Sequence, residues 1–250
     1  MKKHPRIAFF DLENAPSLGY YYDPWKEGNI VATVEPWFML SYSWQWMGEK
    51  TVHCKALCDY LGYNKNKKDD TALVKDLWKL FDEADILIAH NGKRFDRRKA
   101  NSRFLGIGLK PPSPYKVIDT LLIARSVFML ESNRLGSLGE FLGLGDKLPT
   151  TGWATWQGCI NGDAKAWATM KRYNKRDVSL LAQVYERLKP WAPNHPDLRV
   201  YSGQTGCPTC QSSHVQQRGF NVARTKRTQR LHCQSCGSWF SGDPIQAECA

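Results

Sequence analysis

Four acidic residues occupy positions where a folded core normally excludes charge, and a tyrosine lies close to one of them in the sequence. Asp11 and Glu13 end the apolar run IAFFDLEN, and Asp96 follows the run in ILIAHNGKRFD. Asp177 falls among the apolar positions of RYNKRDVSLL, four residues after Tyr173. A carboxylate in such a place is costly unless a cation or a reaction requires it. This set therefore marks the candidate chemistry of the chain.

The expected secondary structure places these groups side by side. Alternate residues of a strand project to one side, so Asp11 and Glu13 point together from a strand end. Residues four apart on a helix share a face, so Tyr173 lies beside Asp177. Asp96 joins them if its strand lies next to the first, as the rules for consecutive strands suggest.

Clustered carboxylates repel one another and raise one another's pKa. A pair of hard divalent cations resolves that conflict, because Mg²⁺ and Mn²⁺ prefer carboxylate and water oxygens. Two such ions, about 3.5–4 Å apart, can hold the attacking and leaving oxygens of a phosphodiester. A tyrosine hydroxyl beside the last carboxylate can hold the attacking water. The pattern predicts metal-assisted phosphodiester hydrolysis with two Mg²⁺ or Mn²⁺ ions as cofactors.

The motifs DLE, HNGKRFD and YNKRD resemble those of the DEDD 3′→5′ exonucleases, in the tyrosine-bearing (DEDDy) branch of the DnaQ-like group. The resemblance extends from Arg6 to Leu188 and includes YKVIDTLLIAR. It is nearest to the predicted polymerase-B-like exonucleases that are frequent in phages. One departure is Asn14–Ala15, which stands where threonine-containing pairs often follow the first two carboxylates.

The resemblance implies a role for each residue of the set. By it, Asp11 would bridge both metal ions, and Glu13 and Asp177 would bind the first. Asp96 would serve the second ion directly or through water. Tyr173 would orient the nucleophilic water.

Three neighbouring polar residues have two interpretations each. His90 and Asn91 either orient Asp96 or touch a phosphate, or they serve a turn. Asp119 ends a strand and is expected to cap the following helix, with a position near phosphate as the alternative.

The tyrosines at positions 20–22 and Trp25 form an aromatic group after the first strand. Core packing is the favoured interpretation, because aromatic clusters usually bury. Stacking on bases at a 3′ end is the alternative.

Two Cys-x-x-Cys pairs near the C-terminus, Cys207 with Cys210 and Cys233 with Cys236, have the spacing of a structural zinc site. Four thiolates suit tetrahedral Zn²⁺ and leave no open position for catalysis. An iron–sulfur cluster is the less favoured alternative. The nearby His214 and His232 are expected to be bystanders, and folding of this short tail is expected to depend on zinc.

The chain carries 35 Lys and Arg against 24 Asp and Glu, a formal net charge of +11. Such a balance favours an anionic partner, nucleic acid first. Between the cysteine pairs lie five basic residues that we expect to hold phosphates, with a solvated surface as the alternative. They are Arg218, Arg224, Lys226, Arg227 and Arg230.

The spacing of apolar residues along the chain predicts the strands and helices that position these groups. The expected strands cover residues 6–10, 37–46, 50–57, 86–89 and 115–118, and the expected helices cover 70–84, 94–105, 120–130, 137–142 and 164–188. A Gly-, Thr- and Trp-rich loop is expected before the last helix, which Asp163 can cap. This order predicts an α/β ribonuclease H-like fold, a mixed five-stranded sheet flanked by helices. The expected domains are a nuclease domain at 1–190, a linker at 191–206 and a zinc ribbon at 207–250.

The leading hypothesis is a divalent-metal-dependent 3′→5′ exonuclease, with DNA as the favoured substrate and the zinc ribbon helping to hold it. The alternatives are a structure-specific endonuclease of the same fold and a non-catalytic nucleic-acid-binding protein. A replication or repair protein is a further possible partner through the ribbon. No segment approaches the roughly 18 apolar residues of a membrane span, so a cytoplasmic location without a membrane partner is expected.

Overall fold

The computed structural model describes residues 4–23, 30–145 and 152–246. The strands are β1 (Ile7–Asn14), β2 (Leu18–Tyr21), β3 (Ile30–Glu35), β4 (Met39–Trp46), β5 (His53–Ala56), β6 (Ile86–Ala89), β7 (Lys116–Asp119), β8 (Val215–Val222), β9 (Lys226–Cys233) and β10 (Trp239–Gln246). The α-helices are α1 (Thr71–Glu83), α2 (Asp96–Gly106), α3 (Thr120–Val127), α4 (Leu135–Phe141), α5 (Trp153–Asn161), α6 (Ala164–Leu188) and α7 (Arg199–Ser202). Short 3-10 turns follow β5 (Leu57–Asp59) and α6 (Lys189–Trp191).

The main sheet has five strands in the order β5-β4-β1-β6-β7, and β1 is its central strand. β1 runs antiparallel to β4 and parallel to β6, and β6 runs parallel to β7. The predicted architecture, a mixed five-stranded sheet flanked by helices, is therefore confirmed.

The central strand is longer than its parallel neighbour. β6 pairs with β1 only as far as Phe9, opposite Ile88, whereas β4 pairs with β1 as far as Asn14. The last residues of β1 therefore have one side that β6 does not cover. Side chains from other elements reach β1 along that side.

Alternation along β1 divides the protein between two cores. Phe10 and Leu12 face one core, with Phe81 of α1 and Phe104 of α2. Ile7 and Phe9 face the other, where α6 contributes residues such as Val184. Burying both faces of the strand explains its nearly continuous apolar run. Asp11 and Glu13 continue the series of Ile7 and Phe9, and so they point to the side that α6 covers.

Helix α6 begins where the sequence predicts. The Asp163 carboxylate accepts hydrogen bonds from the backbone N–H groups of Lys165 and Ala166, which satisfies two free donors at the helix start. The helix then runs to Leu188. Its length lets one helix contact β1, β4 and β5.

One helix and two strands described here were missed by the sequence patterns. The expected loop before α6 contains α5, which has no side-chain cap and begins after Gly152 at φ 59°. α5 is held by packing on α6, where Gly158 approaches Ala166 too closely to admit a Cβ atom. The strands β2 and β3 form a separate two-stranded ribbon between β1 and β4. Its exposed apolar residues have no alternating buried face for a pattern to detect.

The three strands β8, β9 and β10 form their own antiparallel sheet, as a ribbon requires. The segment predicted as a linker contains α7, and its Leu198 is buried in the core beside α6. Leu198 also donates its backbone N–H to the carbonyl of Pro208 at 2.8 Å. This segment therefore contacts both the main sheet's core and the cysteine region.

Within the described residues, no helix is both long enough and apolar enough to cross a membrane.

Candidate metal-binding active site

Three of the four predicted carboxylates come together at the end of β1. Ligand oxygens of Asp11, Glu13 and Asp177 all lie within 4.8 Å of one another. Asp11 and Glu13 arrive from the central strand and Asp177 from α6, which packs across that face. Asp177 is buried, whereas the other two are partly accessible from solvent. The site is therefore open on the side of β1 and closed on the side of α6.

The donor set fits a hard divalent cation. Three carboxylates at this separation bring three negative charges together, which an apolar environment opposes strongly. Carboxylate oxygens are the ligands that Mg²⁺ and Mn²⁺ prefer, and such ions accept a mixed shell of carboxylates and water. Asp11, Glu13 and Asp177 are therefore the residues that would hold a catalytic metal ion.

Asp96 lies next to this group but outside it. It is the first residue of α2, it is 4% exposed, and a hydrogen bond from the backbone N–H of Leu12 ties it to β1. The pKa of Asp96 is raised to about 7, mainly by burial and to a smaller extent by the Asp119 charge, while hydrogen bonds from the N–H groups of Asp96 and Leu12 act in the opposite direction. Its contact with β1 falls between Asp11 and Glu13, on the stretch that β6 leaves uncovered.

Asn174 is a site residue that the sequence interpretation missed. Its Nδ2 donates to Oδ2 of Asp11 at 2.6 Å and to the Asp11 carbonyl at 3.3 Å. Its Oδ1 accepts from the Ser41 hydroxyl at 3.3 Å. Asn174 is fully buried, and it holds the Asp11 carboxylate in one orientation. The available signal was an amide at an apolar position of the α6 stripe, three residues before Asp177.

Tyr173 is half-buried on α6, one turn before Asp177. Its ring meets the Trp156 ring of α5 edge-on, with centroids 5.9 Å apart. The helix missed in the sequence interpretation therefore supports this tyrosine.

His90 and Asn91 lie in the turn after β6. The two ring nitrogens of His90 make hydrogen bonds of 2.9 Å with the Thr120 hydroxyl and the Asn133 carbonyl. Asn91 has φ 70°, a left-handed conformation that asparagine tolerates. These features suit the turn role, although both residues also line the cleft described next.

The predicted cap at Asp119 is confirmed. Its carboxylate accepts from the backbone N–H groups of Leu121 and Leu122 at the start of α3. It also accepts from the backbone N–H groups of Asn91 and Lys93. Asp119 therefore fixes the turn after β6 as well as the helix.

A cleft of about 820 Å³ opens beside Asp11, and we call it the Asp11 cleft. It runs between the turn after β6, helix α3 and the start of α4. Its lining carries both signs of charge, with Arg125 and Arg134 beside Glu131 and Glu140. Its volume falls in the range of pockets that take small organic ligands.

The four cysteines of the two Cys-x-x-Cys pairs form a second cluster. Their sulfur atoms all lie within 4.8 Å of one another. The Sγ atoms of Cys207 and Cys236 are 3.6 Å apart, as are those of Cys210 and Cys233. Tetrahedral Zn–S bonds of about 2.3 Å place sulfurs about 3.8 Å apart, so the cluster fits one structural zinc. Gly237 follows at φ 82°, a backbone conformation that glycine adopts freely.

The five basic residues of the ribbon are exposed, but alternation along β9 divides them. Lys226 and Arg230 point to one face and Arg227 to the other. Arg230 lies over the Trp239 ring, at 5.3 Å from its centroid, and Arg227 lies over Phe220 at 4.7 Å. Each face thus combines cations with an aromatic ring, and the ring of the bystander His232 stacks on Trp239.

Core packing of the early tyrosines was the wrong interpretation. Tyr20, Tyr21 and Tyr22 are 66%, 62% and 92% exposed, because they lie on and just after β2, outside the main sheet. Trp25 lies outside the described residues.

Two known polymerases are similar to parts of this chain. A segment of 73 residues is 44% identical to the PolC-type DNA polymerase III of Ureaplasma parvum, and it represents 28% of this chain and 5% of that protein. The family B DNA polymerase of Pyrobaculum calidifontis superposes on 74% of this chain with a TM-score of 0.51 and 17% identity, over 25% of its own length. This chain spans a small part of either polymerase, and the second likeness concerns the fold alone.

A family model described as the RNase H superfamily matches residues 48–189. The matched region holds β6, β7, α2 and α6, the elements that bring Asp96 and Asp177 to the central strand. The match covers more than half of the chain, and the fold is the mixed five-stranded sheet that the sequence predicted. On this evidence the protein belongs to the RNase H superfamily.

Proposed function

We propose that this protein is a divalent-metal-dependent 3′→5′ exonuclease of the tyrosine-bearing type. The observation that carries the proposal is the meeting of Asp11, Glu13 and Asp177 within 4.8 Å at the end of the central strand. Asp96 borders this group, and Tyr173 stands one helical turn from Asp177. Membership of the RNase H superfamily supports a nuclease in general.

The side chains of the site have different roles, which follow from their positions. Asp11, Glu13 and Asp177 bind the metal, with Asp96 completing the acidic set. When bound, Mg²⁺ or Mn²⁺ ions activate the attacking water and neutralise charge on the cleaved phosphodiester. Asn174 holds the Asp11 carboxylate in place, so this carboxylate needs little reorientation during the reaction.

Tyr173 supplies the orienting group. Its phenol is an uncharged donor and acceptor at ordinary pH, which suits it to positioning a water without competing for the metal. Contact with Trp156 limits the movement of its ring. Tyr173 therefore acts on the nucleophile, and the carboxylates act on the metal.

The Asp11 cleft is suited to the end of a strand. It has room for a nucleotide, and Arg125 and Arg134 offer guanidinium groups to its phosphate, although Glu131 and Glu140 lie in the same lining. We favour DNA because the PolC-type relative with a similar segment is a DNA polymerase. The cysteine cluster binds structural zinc, and the cations of the ribbon add contacts to phosphates. The ribbon also offers a surface for a replication or repair protein.

The test is digestion of single-stranded DNA labelled at the 3′ or the 5′ end, with Mg²⁺ or Mn²⁺. The wild-type chain should release labelled mononucleotide at once from 3′-labelled strands and give a descending ladder from 5′-labelled strands. Asp11→Ala and Asp177→Ala should each lose activity by more than about 100-fold. Glu83→Ala, an exposed carboxylate paired with Arg6, is the matched control and should remain active.

Two outcomes would replace the proposal. Cleavage of closed circular DNA, which has no ends, would favour the endonuclease alternative. Binding without hydrolysis under either metal would favour a non-catalytic nucleic-acid-binding protein. Undiminished digestion by the Asp11 and Asp177 variants would show that this site does not catalyse the cleavage.

A further inference from the structure

A second pocket, of about 520 Å³, lies at the outer edge of the main sheet, and we call it the edge pocket. It is bounded by β7, by α3 and by residues 192–196 of the segment that follows α6. Apolar side chains form much of its lining, among them Val117, Ile118, Leu122 and Ile123. Such a surface accepts a flat organic ring, since burial of apolar area stabilises the complex.

Three cations surround this apolar surface. Lys93, Lys116 and Arg125 all line the edge pocket. Within the described residues, the ion pairs of this chain include none of these three side chains. Three uncompensated positive charges beside one cavity favour an anionic ligand.

The acidic residue in the lining, Asp119, offsets only part of this charge. Asp119 is buried, and its carboxylate accepts hydrogen bonds from four backbone N–H groups, two in the turn after β6 and two at the start of α3. Three of those bonds reach Oδ1 and one reaches Oδ2, so backbone donors hold this carboxylate. The accessible charge at the rim is positive.

The far wall is uncharged. The Nδ1 of His195 makes a 2.8 Å hydrogen bond with the Pro196 carbonyl, so this nitrogen carries the proton. The Nε2 of His195 therefore accepts from the Tyr185 hydroxyl, at 2.7 Å. Burial lowers the pKa of His195, which keeps the ring neutral. His195 thus provides an aromatic wall rather than a fourth charge.

The edge pocket adjoins the Asp11 cleft. Arg125 lines both, so the two cavities share this side chain. A ligand in the edge pocket is thereby placed beside the site at which a strand is cut. The chemistry of that ligand is expected to match the chemistry of the strand.

We propose that the edge pocket binds a phosphorylated nucleotide unit, with the base against the apolar lining and the phosphate between Lys93, Lys116 and Arg125. The choice of a nucleotide rests on the proposed function. The unit comes from one of two sources, an internal nucleotide of the bound strand or the mononucleotide released by cleavage. Both present the same phosphate and base.

The experiment is calorimetric titration of the zinc-loaded full-length chain without Mg²⁺ or Mn²⁺, using thymidine 5′-monophosphate, thymidine and inorganic phosphate as probes. The monophosphate should bind more tightly than either fragment. The double variant Lys93→Ala/Lys116→Ala should weaken its binding about tenfold or more, since two charged hydrogen bonds are removed. The double variant Lys50→Ala/Lys75→Ala removes the same charge from exposed positions outside the pocket and should bind like the wild type.

A second variant tests whether weaker binding comes from the lost charge or from misfolding of the double lysine variant. Ser126→Glu adds a negative charge to the pocket lining at an exposed position, and it should weaken the monophosphate in the same direction. The proposal is overturned if Lys93→Ala/Lys116→Ala binds the monophosphate as tightly as the control pair. It is also overturned if inorganic phosphate binds as tightly as the monophosphate, because the apolar lining would then contribute nothing.

Activity measurements separate the two sources. If the pocket holds an internal nucleotide, the lysine variant should raise KM for a single-stranded 20-mer. If it holds the product, added monophosphate should inhibit the wild type more strongly than the variant, with KM unchanged. If the chain binds the monophosphate but cleaves no nucleic acid, the proposal for the edge pocket is supported and the proposed nuclease function is contradicted.

Discussion

Asp96 differs from the other acidic residues in how its charge is accommodated. Asp11, Glu13 and Asp177 lie close enough to share one cation, whereas Asp96 is buried against the Leu12 backbone and outside that group. With burial as the main cause, its pKa is raised from 3.8 to about 7. Without divalent metal, therefore, ionised Asp96 is a source of instability.

Replacing Asp96 by Asn should stabilise the protein in the absence of Mg²⁺ and Mn²⁺. The unfolded chain releases this proton near pH 4 and the folded chain near pH 7, so stability from this group is present below pH 4 and is lost as the pH rises through 7. At pH 8 the variant should be more stable by about 1–3 kcal/mol, with little difference at pH 4. Thermal unfolding of the zinc-loaded proteins at both pH values measures this.

Asp82→Asn is the control for that experiment. Asp82 is partly exposed, and hydrogen bonds from Ser113 lower its pKa, so its removal should give no gain at pH 8. Equal melting temperatures of Asp96→Asn and wild type at pH 8 would show that Asp96 carries no such cost. Loss of nuclease activity in Asp96→Asn is expected as well.

Tyr173→Phe should separate chemistry from folding. Phenylalanine keeps the ring against Trp156 but lacks the hydroxyl that we propose orients the water. We expect kcat to fall about 10- to 100-fold through misplacement of the nucleophile, with a smaller effect on KM. Single-turnover digestion of 3′-labelled DNA gives the rate, and a melting temperature near that of wild type excludes misfolding.

Tyr115→Phe, on the α1 side of the sheet, provides the comparison for Tyr173. It should leave the rate unchanged. An unaltered rate in Tyr173→Phe would instead assign Tyr173 to packing.

At the scale of elements, the site depends on the unequal lengths of β1 and β6. β6 stops pairing at Phe9, and the two acidic residues lie beyond that point. Helix α2 starts at this gap and presents Asp96, while α6 covers the face that carries Asp11 and Glu13. A β6 longer by a few residues would occupy the backbone positions that Asp96 uses.

The β2–β3 ribbon presents exposed tyrosines just after β1, which favours their second interpretation, stacking on bases. Tyr20→Ala/Tyr21→Ala should weaken binding of a single-stranded oligonucleotide about fivefold or more, because one stacked base contributes about 1–3 kcal/mol. Fluorescence anisotropy without divalent metal measures the affinity.

The corresponding double Phe variant retains both rings and should bind like the wild type. Leu18→Ala, an exposed aliphatic position in the same ribbon, should have little effect. Equal affinities of the double Ala and double Phe variants would exclude stacking by these two residues.

At the scale of the whole molecule, the cysteine region is attached to the nuclease fold through the segment after α6. Gln211 donates to the Leu198 carbonyl at 2.6 Å, and Leu198 is buried beside α6. The Tyr185–His195 hydrogen bond fixes the same segment on α6. These contacts hold the ribbon's cations on the same body as the acidic site.

Cys233→Ser should release zinc and unfold β8–β10, because so small a sheet has little core of its own. We expect loss of one zinc per chain by plasma mass spectrometry. The nuclease fold should still unfold cooperatively, since its two cores do not include the cysteine region.

Oligonucleotide affinity then reports on the role of the ribbon. The slope of log Kd against log salt should fall by about 0.7 for each phosphate that the ribbon no longer neutralises. Cys54→Ser, a cysteine outside the cluster, is the control. An unchanged slope in Cys233→Ser would show that the ribbon does not hold the strand and would favour a protein partner for it.

Short sequence patterns were sufficient to predict part of this site. The strand end at Asp11 and Glu13, the helix capped by Asp163 and the two cysteine pairs all depend on residues within a few positions of one another. Strand alternation, helical spacing and metal-ligand spacing act at that range, and each is visible in one sequence. The fold class followed from their order along the chain.

The sequence by itself determined the types of chemistry available, namely carboxylates at strand and helix positions and thiolates in pairs. Only the tertiary structure decided which groups meet. It placed Asn174 on Asp11, 163 residues away in the chain, left Asp96 beside the other three, and exposed Tyr20 and its neighbours. Strand lengths, register and helix packing set such contacts, and these arise from interactions between segments that no local period records.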